Sequence, residues 1–187
     1  GSFPAREFTM QHNESDADFL RRLWKRRGIA WFMRPGLASE SQGEDMPAHT
    51  LVLFNDGFTL PQNAAGVVRY HRDNGTEQSD TIFAWTPVRK LVPGNLNRLS
   101  WDYLQGRPMT ANTPSCIDQG ATGNRFARGL DDYLIDVPHA GEDGDDYRDL
   151  GELRMKRHEY DSKCFYGEGS VRALCIGEWI ALSGHPD

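Results

Sequence analysis

Residues 13–33 read NESDADFLRRLWKRRGIAWFM, a short basic helix signature running straight into an aromatic strand signature. Ser15 and Asp18 form a capping-box variant, in which the hydroxyl accepts from an otherwise orphaned amide and the carboxylate answers back. Phe19, Leu20, Leu23 and Trp24 fall on one helical face, while Arg21, Arg22, Lys25, Arg26 and Arg27 populate the other side. The last three cations sit where the helix dipole favours positive charge. Gly28 stands where a helix ends in the left-handed conformation, and Ile29–Met33 is β-branched and aromatic. The stretch therefore predicts helix, tight stop, strand.

Working outward, 34–48 is a Gly-, Ser-, Glu- and Pro-rich loop, and His49–Asn55 (HTLVLFN) resumes as a strand before the Asp56-Gly57 turn signal. The apolar LVLF segment matches AWFM as a hairpin partner. Further short strands are expected over Gly66–His71, Thr81–Val88 and Leu96–Tyr103, spacing that favours a barrel or sandwich over a parallel α/β sheet. Gly106–Ala127 shows no clear period. His139–Asp149 reads as an acidic loop, followed by a second helix over about Leu150–His158, and strand-like alternation around glycines fills Tyr160–Leu182. The expected class is α+β, mainly β: β-barrel elements with two short helices. The expected organisation is a leader at 1–5, whose Gly1-Ser2 has the look of a cloning remnant, a first lobe over 6–95 and a second over 96–187.

The totals narrow the function classes. The 187 residues carry 26% charged side chains and a net charge of -6, with a mean hydropathy of -0.64. This describes a soluble globular chain able to bury a core. No apolar run approaches the roughly 20 residues that span a bilayer, and the polar N-terminus lacks a signal-peptide pattern. An acidic balance disfavours a general nucleic-acid binder, although a cationic stripe beside Trp24 and Trp31 is what single-strand binders use. Cys116, Cys164 and Cys175 are odd in number and lack CxxC spacing, so no disulfide framework or zinc site is expected. Glu142, Asp143, Asp145, Asp146 and Asp149 are acidic enough for calcium but miss the loop spacing that calcium needs. The six histidines are scattered singly. HExxH, GxSxG, GxGxxG and Walker patterns are absent from the sequence, so no catalytic, cofactor or metal residue is assigned.

The residues also carry a resemblance. Arg6, Phe8, Gln11, Glu14-Ser15-Asp16, Phe19-Leu20-Arg21-Arg22-Leu23, Gly28-Ile29 and Trp31-Phe32 together resemble the signature segment of the VgrG family, the spike proteins of type VI secretion, and of the related phage late-control D and tail-hub proteins. His49-Thr50-Leu51-Val52-Leu53 is similar to that family's HTLVL strand. Leu91-Val92-Pro93-Gly94, Asp102-Tyr103 and Arg107-Pro108 follow in the family's order, and Arg154–His158 and Leu182-Ser183-Gly184-His185-Pro186 resemble its late helix and GHP close. The resemblance implies a tail-hub segment without catalysis. It also implies a homotrimer whose paired barrels match a hexameric, Hcp-like tube protein, effectors as cargo, and no nucleic-acid partner. Assembly in the bacterial cytoplasm would precede secretion or injection into a target cell. Two other readings stand beside it: a phage tail-tip or baseplate module binding carbohydrate through exposed tryptophans, and a hydrolase centred on His185 with an acid such as Asp161.

Overall fold

The computed structural model describes residues 3, 5–37, 47–72 and 79–186. In chain order these form α1 (Asp16–Arg26), β1 (Ala30–Pro35), β2 (His49–Phe54), a 3-10 turn (Gly57–Thr59), β3 (Gln62–Tyr70), β4 (Thr81–Arg89), β5 (Asn95–Asp102) and β6 (Arg107–Pro114). There follow α2 (Gly120–Ala127), β7 (Asp131–Ile135), α3 (Gly144–Asp161), β8 (Lys163–Gly169) and β9 (Trp179–Ser183). The class is α+β, mainly β, as expected. The strands form three sheets, ordered β1-β2, β8-β4-β3-β9 and β6-β5-β7. None of the described helices is long and apolar enough to cross a membrane.

Contacts divide the chain differently from the expected 6–95 and 96–187 lobes. One compact unit holds Gly1–Arg27 with Pro87–Cys164, and the other holds Gly28–Thr86 with Phe165–Asp187. Strand pairing is the physical reason: β9, from the end of the chain, adds in parallel to β3, and a contiguous division would cut that sheet. The sheets are also mixed, because β3 runs parallel to both β4 and β9 and β5 runs parallel to β7.

In the unit that contains α3, β5 and β6 pair antiparallel from Asn95↔Pro114 to Asp102↔Arg107. The turn between them is fixed by the buried Asp102 carboxylate, which accepts from the N–H groups of Leu104 and Gln105 at 2.9 and 3.3 Å. β7 lies on the other side of β5, reached through α2. α3 covers one face of this sheet through Tyr147, Leu150, Gly151 and Met155, against Leu96, Met109 and Ala111.

The second helix is thus longer than expected, Gly144–Asp161, and a third, α2, falls in the segment without a visible period. The acidic stretch is the start of α3. Asp143 is its N-cap, accepting from the Asp146 N–H at 2.8 Å, and Asp145 and Asp146 occupy the first turn, where the helix dipole favours anions.

Gly151 shows how closely α3 sits. A Cβ there would lie 2.8 Å from the Ala111 Cβ and 3.3 Å from the Thr113 Oγ1. Gly→Ala inside a helix ordinarily gains up to about 1 kcal/mol. Here overpacking, which costs about 1–3 kcal/mol, reverses the sign. Urea unfolding of Gly151→Ala should show a net loss of about 1 kcal/mol or more, and a gain would mean that α3 is not seated on β6.

In the other unit, β1 and β2 pair antiparallel from Ala30↔Phe54 to Pro35↔His49, the hairpin expected from sequence. Phe32 is buried and meets Phe54 edge-on, with centroids 5.8 Å apart. Val68, Ile82 and Val171 form the centre of the larger sheet's core, flanked by Trp85, Ile180 and Leu182. Trp85 stacks on Phe165 at 5.1 Å. The buried Asn63 donates to the Ala173 carbonyl at 2.7 Å and to the Glu178 carboxylate, and accepts from the Ala65 N–H.

Candidate assembly surfaces

The basic side of α1 is largely engaged within its own unit. Ser15 caps the helix, its Oγ accepting from the Asp18 N–H at 3.2 Å and donating to the Asp18 carboxylate at 2.7 Å. Arg21 lies 3.4 Å from Asp18, and Arg22 makes a two-armed contact with Glu14 at 3.1 and 2.5 Å. At the C-terminal end, Arg26 donates to the Ala140 carbonyl and Arg27 to the Asp146 carboxylate, with a second arm at 3.4 Å. The cationic stripe, which the sequence reading weighed as a phosphate surface and disfavoured, is mostly tied up in local ion pairs and, through Arg26 and Arg27, in a clasp onto the Ala140–Asp146 stretch.

The clasp is a coupled set of charges. Burial pushes the Asp146 carboxyl up, but hydrogen bonds from Arg27 and the Glu142 N–H, with the charges of Arg27 and Arg26, outweigh it and hold the group below its ordinary value. Burial, with Arg6 and Arg27 nearby, pulls Arg26 down. Arg6 reaches Glu142 at 3.6 Å. His139 stands at positive φ between Asp102 and Glu7, at 3.6 and 3.7 Å.

Several of the remaining titratable groups singled out by the sequence are held in internal pairs among the described residues. A cavity of about 510 Å³ lies among Lys90, Ile117, Asp118, Gln119, Glu159 and Ser162. Its two acids are occupied: Glu159 accepts from the Ser115 hydroxyl and the Cys116 N–H, and Asp118 from the Gly120 N–H and Asn124. His158 binds Asp132 at 2.8 Å, and Arg98 binds the same carboxylate at 2.6 Å. His185 packs on the Tyr70 ring at 4.7 Å, whereas Asp161 lies 3.8 Å from Lys90 in the other unit. Among the described residues no group of three His, Cys, Asp or Glu side chains converges as a metal would require. All three cysteines are free.

What the two units do present is apolar sheet surface. Alternate residues of a strand share a face, so the register Asn97↔Tyr133 and Leu99↔Ile135 puts Trp101, Leu99, Tyr133 and Ile135 on the side of β5 and β7 opposite α3. Trp101 is 48% exposed, Tyr133 61% and Ile135 62%; Val137 continues the line at 73%. We call this face A. In the other unit, Trp31↔Leu53 and Met33↔Leu51 share the side of the hairpin opposite the buried Phe32. These four are 39–47% exposed and form face B. A monomer's isolated exposed leucine needs no explanation, but a contiguous apolar patch on a sheet marks an interaction surface.

The whole chain, residues 1–187, matches the family described as phage tail baseplate hub (GPD). The chain belongs to this hub family. Curated relatives are type VI secretion system spike proteins of Pseudomonas aeruginosa. VgrG1a is 26% identical over 96% of this chain and 26% of its own length. VgrG1c is 24% identical over 96% of the chain and 23% of its length, and VgrG5 27% over 98% and 21%. The hub chain thus spans about a quarter or less of the length of these relatives.

The motifs carrying the hub resemblance now have structural roles. The Glu14–Leu23 segment caps and builds α1, and HTLVL supplies Leu51 and Leu53 to face B. In Leu91-Val92-Pro93-Gly94, Val92 is buried, and the Gly94 N–H donates to the Ala127 and Leu130 carbonyls at 2.9 and 3.1 Å. The sequence reading missed face A's principal strand, β7, because DDYLI does not alternate and opens on two acids.

Proposed function

We propose that this chain is a structural hub segment of a type VI secretion spike. In this reading it assembles with copies of itself into a trimer and stacks on a hexameric, Hcp-like tube protein. The assembled spike punctures a target membrane and delivers effectors, after assembly in the bacterial cytoplasm and release or injection outward. The hub itself performs no bond-making step: its work is shape matching and force transmission through buried subunit contacts. The observation that carries this reading is the pair of exposed apolar sheet faces, present while Asp118 and Glu159, the acids of the cavity beside Lys90, are tied up in internal bonds. A closed three-fold ring uses two different surfaces per copy, and the chain has two. Sedimentation of the intact protein that carries this segment tests the proposal. The expected species has three times the monomer mass and co-sediments with tube protein; a monomer that ignores the tube at every concentration would contradict it.

A further inference from the structure

We propose that His139 is a proton-operated latch for the N-terminal strap, residues 5–8, which leads towards α1: the charged ring bridges the Asp102 and Glu7 carboxylates, and the neutral ring lets the strap loosen. Strap, ring and both acids belong to one unit of the chain, so the latch is independent of hub assembly. His139 is held at φ 55°, its N–H donates to the Trp101 carbonyl at 2.8 Å, and its side chain is 12% exposed. Nδ1 stands 3.6 Å from the Asp102 Oδ1, and Nε2 stands 3.7 Å from the Glu7 Oε2. Both ring nitrogens are buried, and neither has a hydrogen-bond partner among the described residues. A neutral imidazole carries one N–H and one lone pair, so one of its nitrogens would set a lone pair against a carboxylate oxygen. An imidazolium carries two donors, one for each acid.

The surrounding charges favour the bridged state. Asp102 is 2% exposed, and among the described residues His139 is the one base within ion-pair distance of it. Arg107 and Arg148 line a cavity together with Asp102, but Arg148 is paired with Asp145. The Tyr103 ring lies 5.0 Å from the imidazole, and an aromatic face attracts a cation. The neighbouring cations are engaged elsewhere: Arg26 donates to the Ala140 carbonyl, and Arg6 faces Glu142. Glu142 also accepts from the Glu7 N–H at 3.3 Å. Among the described residues the polar ties of the strap are therefore two, one at Glu142 and one at His139. An imidazole changes charge between about pH 5 and 8, where carboxylates ordinarily stay ionised. The strap is thus held most firmly at the acid end of that range and loosens as pH rises.

Millisecond hydrogen exchange of the chain, read by mass spectrometry at about pH 5.5 and about pH 8 and corrected for intrinsic rates, tests the latch. Amides of residues 5–10 should lose about two- to fivefold of their protection at the higher pH, the worth of one partly exposed ion pair. α2, which carries no histidine, should keep its own protection. Glu7→Gln removes the charge from the strap, and His139→Gln removes the exchangeable proton from the ring. In each variant the difference between the two pH values should vanish, with circular dichroism confirming the fold. Should His139→Gln fail to fold, Glu7→Gln decides alone, because the Glu7 side chain is 62% exposed. Equal exchange of the strap at both pH values in the unsubstituted chain would overturn the latch. So would a pH response that persists in Glu7→Gln, which would place it on another group such as the exposed His12.

Discussion

Asp146→Ala should lower the stability of the unit containing α3 by about 3–5 kcal/mol, the range for removing one member of a buried ion pair. The Arg27 and Asp146 side chains are only 12% and 7% exposed. Without the carboxylate, Arg27 is left charged and buried, and the Glu142 N–H loses its acceptor at 3.0 Å. Urea unfolding followed by circular dichroism measures the loss. Asp146→Asn, which keeps an acceptor but not the charge, should fall between the two proteins. A loss below about 1 kcal/mol, the value of a surface pair, would mean that the clasp is solvated.

The same pair fixes a pH dependence. Although burial pushes the Asp146 carboxyl up, its hydrogen bonds and the nearby arginines leave the folded-state value below the ordinary one. A carboxyl depressed on folding contributes fully above its unfolded value, about 4, and loses that contribution as pH falls through the folded value. Asp132, where burial is outweighed by His158 and Arg98, adds in the same direction. Stability should therefore fall below about pH 4, and Asp146→Ala should flatten that fall.

The second large effect is expected at Gly177. Its φ of +80° already disfavours any side chain, by roughly 1–2 kcal/mol. A Cβ there would stand 2.0 Å from the Phe32 Cζ and 2.5 Å from both Cε atoms. Phe32 is 7% exposed and cannot withdraw without opening the hairpin's inner face. Gly177→Ala should therefore cost about 3 kcal/mol or more, the backbone penalty adding to overpacking. Phe32→Leu by itself should also destabilise, but in the Gly177→Ala background its cost should shrink by about 1 kcal/mol or more, as coupled neighbours do. Strict additivity of the two losses would show that they do not meet.

Legibility in the sequence followed the range of the interaction. α1, its Ser15 cap and the Gly28 stop are local, and each is where the residues place it. The β1–β2 hairpin was legible despite its long connection, because matching apolar runs demand each other. β7 was not: Asp131, Asp132 and Asp136 look like loop acids until Asn97, Arg98, Tyr147 and Arg154 are brought against them. The same holds for 143–149, where acids that read as a solvated loop cap α3 and close on Arg27. Face B could have been suspected from AWFM and HTLVL, since both sides of that hairpin are apolar. Face A depends on a parallel strand added from beyond α2, and no window of sequence contains it.

Assembly of the hub should cover both apolar faces. Oxidative footprinting read by mass spectrometry measures this at Trp101 and Tyr133 on face A and at Trp31 and Met33 on face B, with Tyr160, 78% exposed on α3, as an outside reference. Comparison of the dilute chain with the assembled spike should show all four side chains protected together and Tyr160 labelled equally in both. Equal labelling of the four in both states would contradict the account.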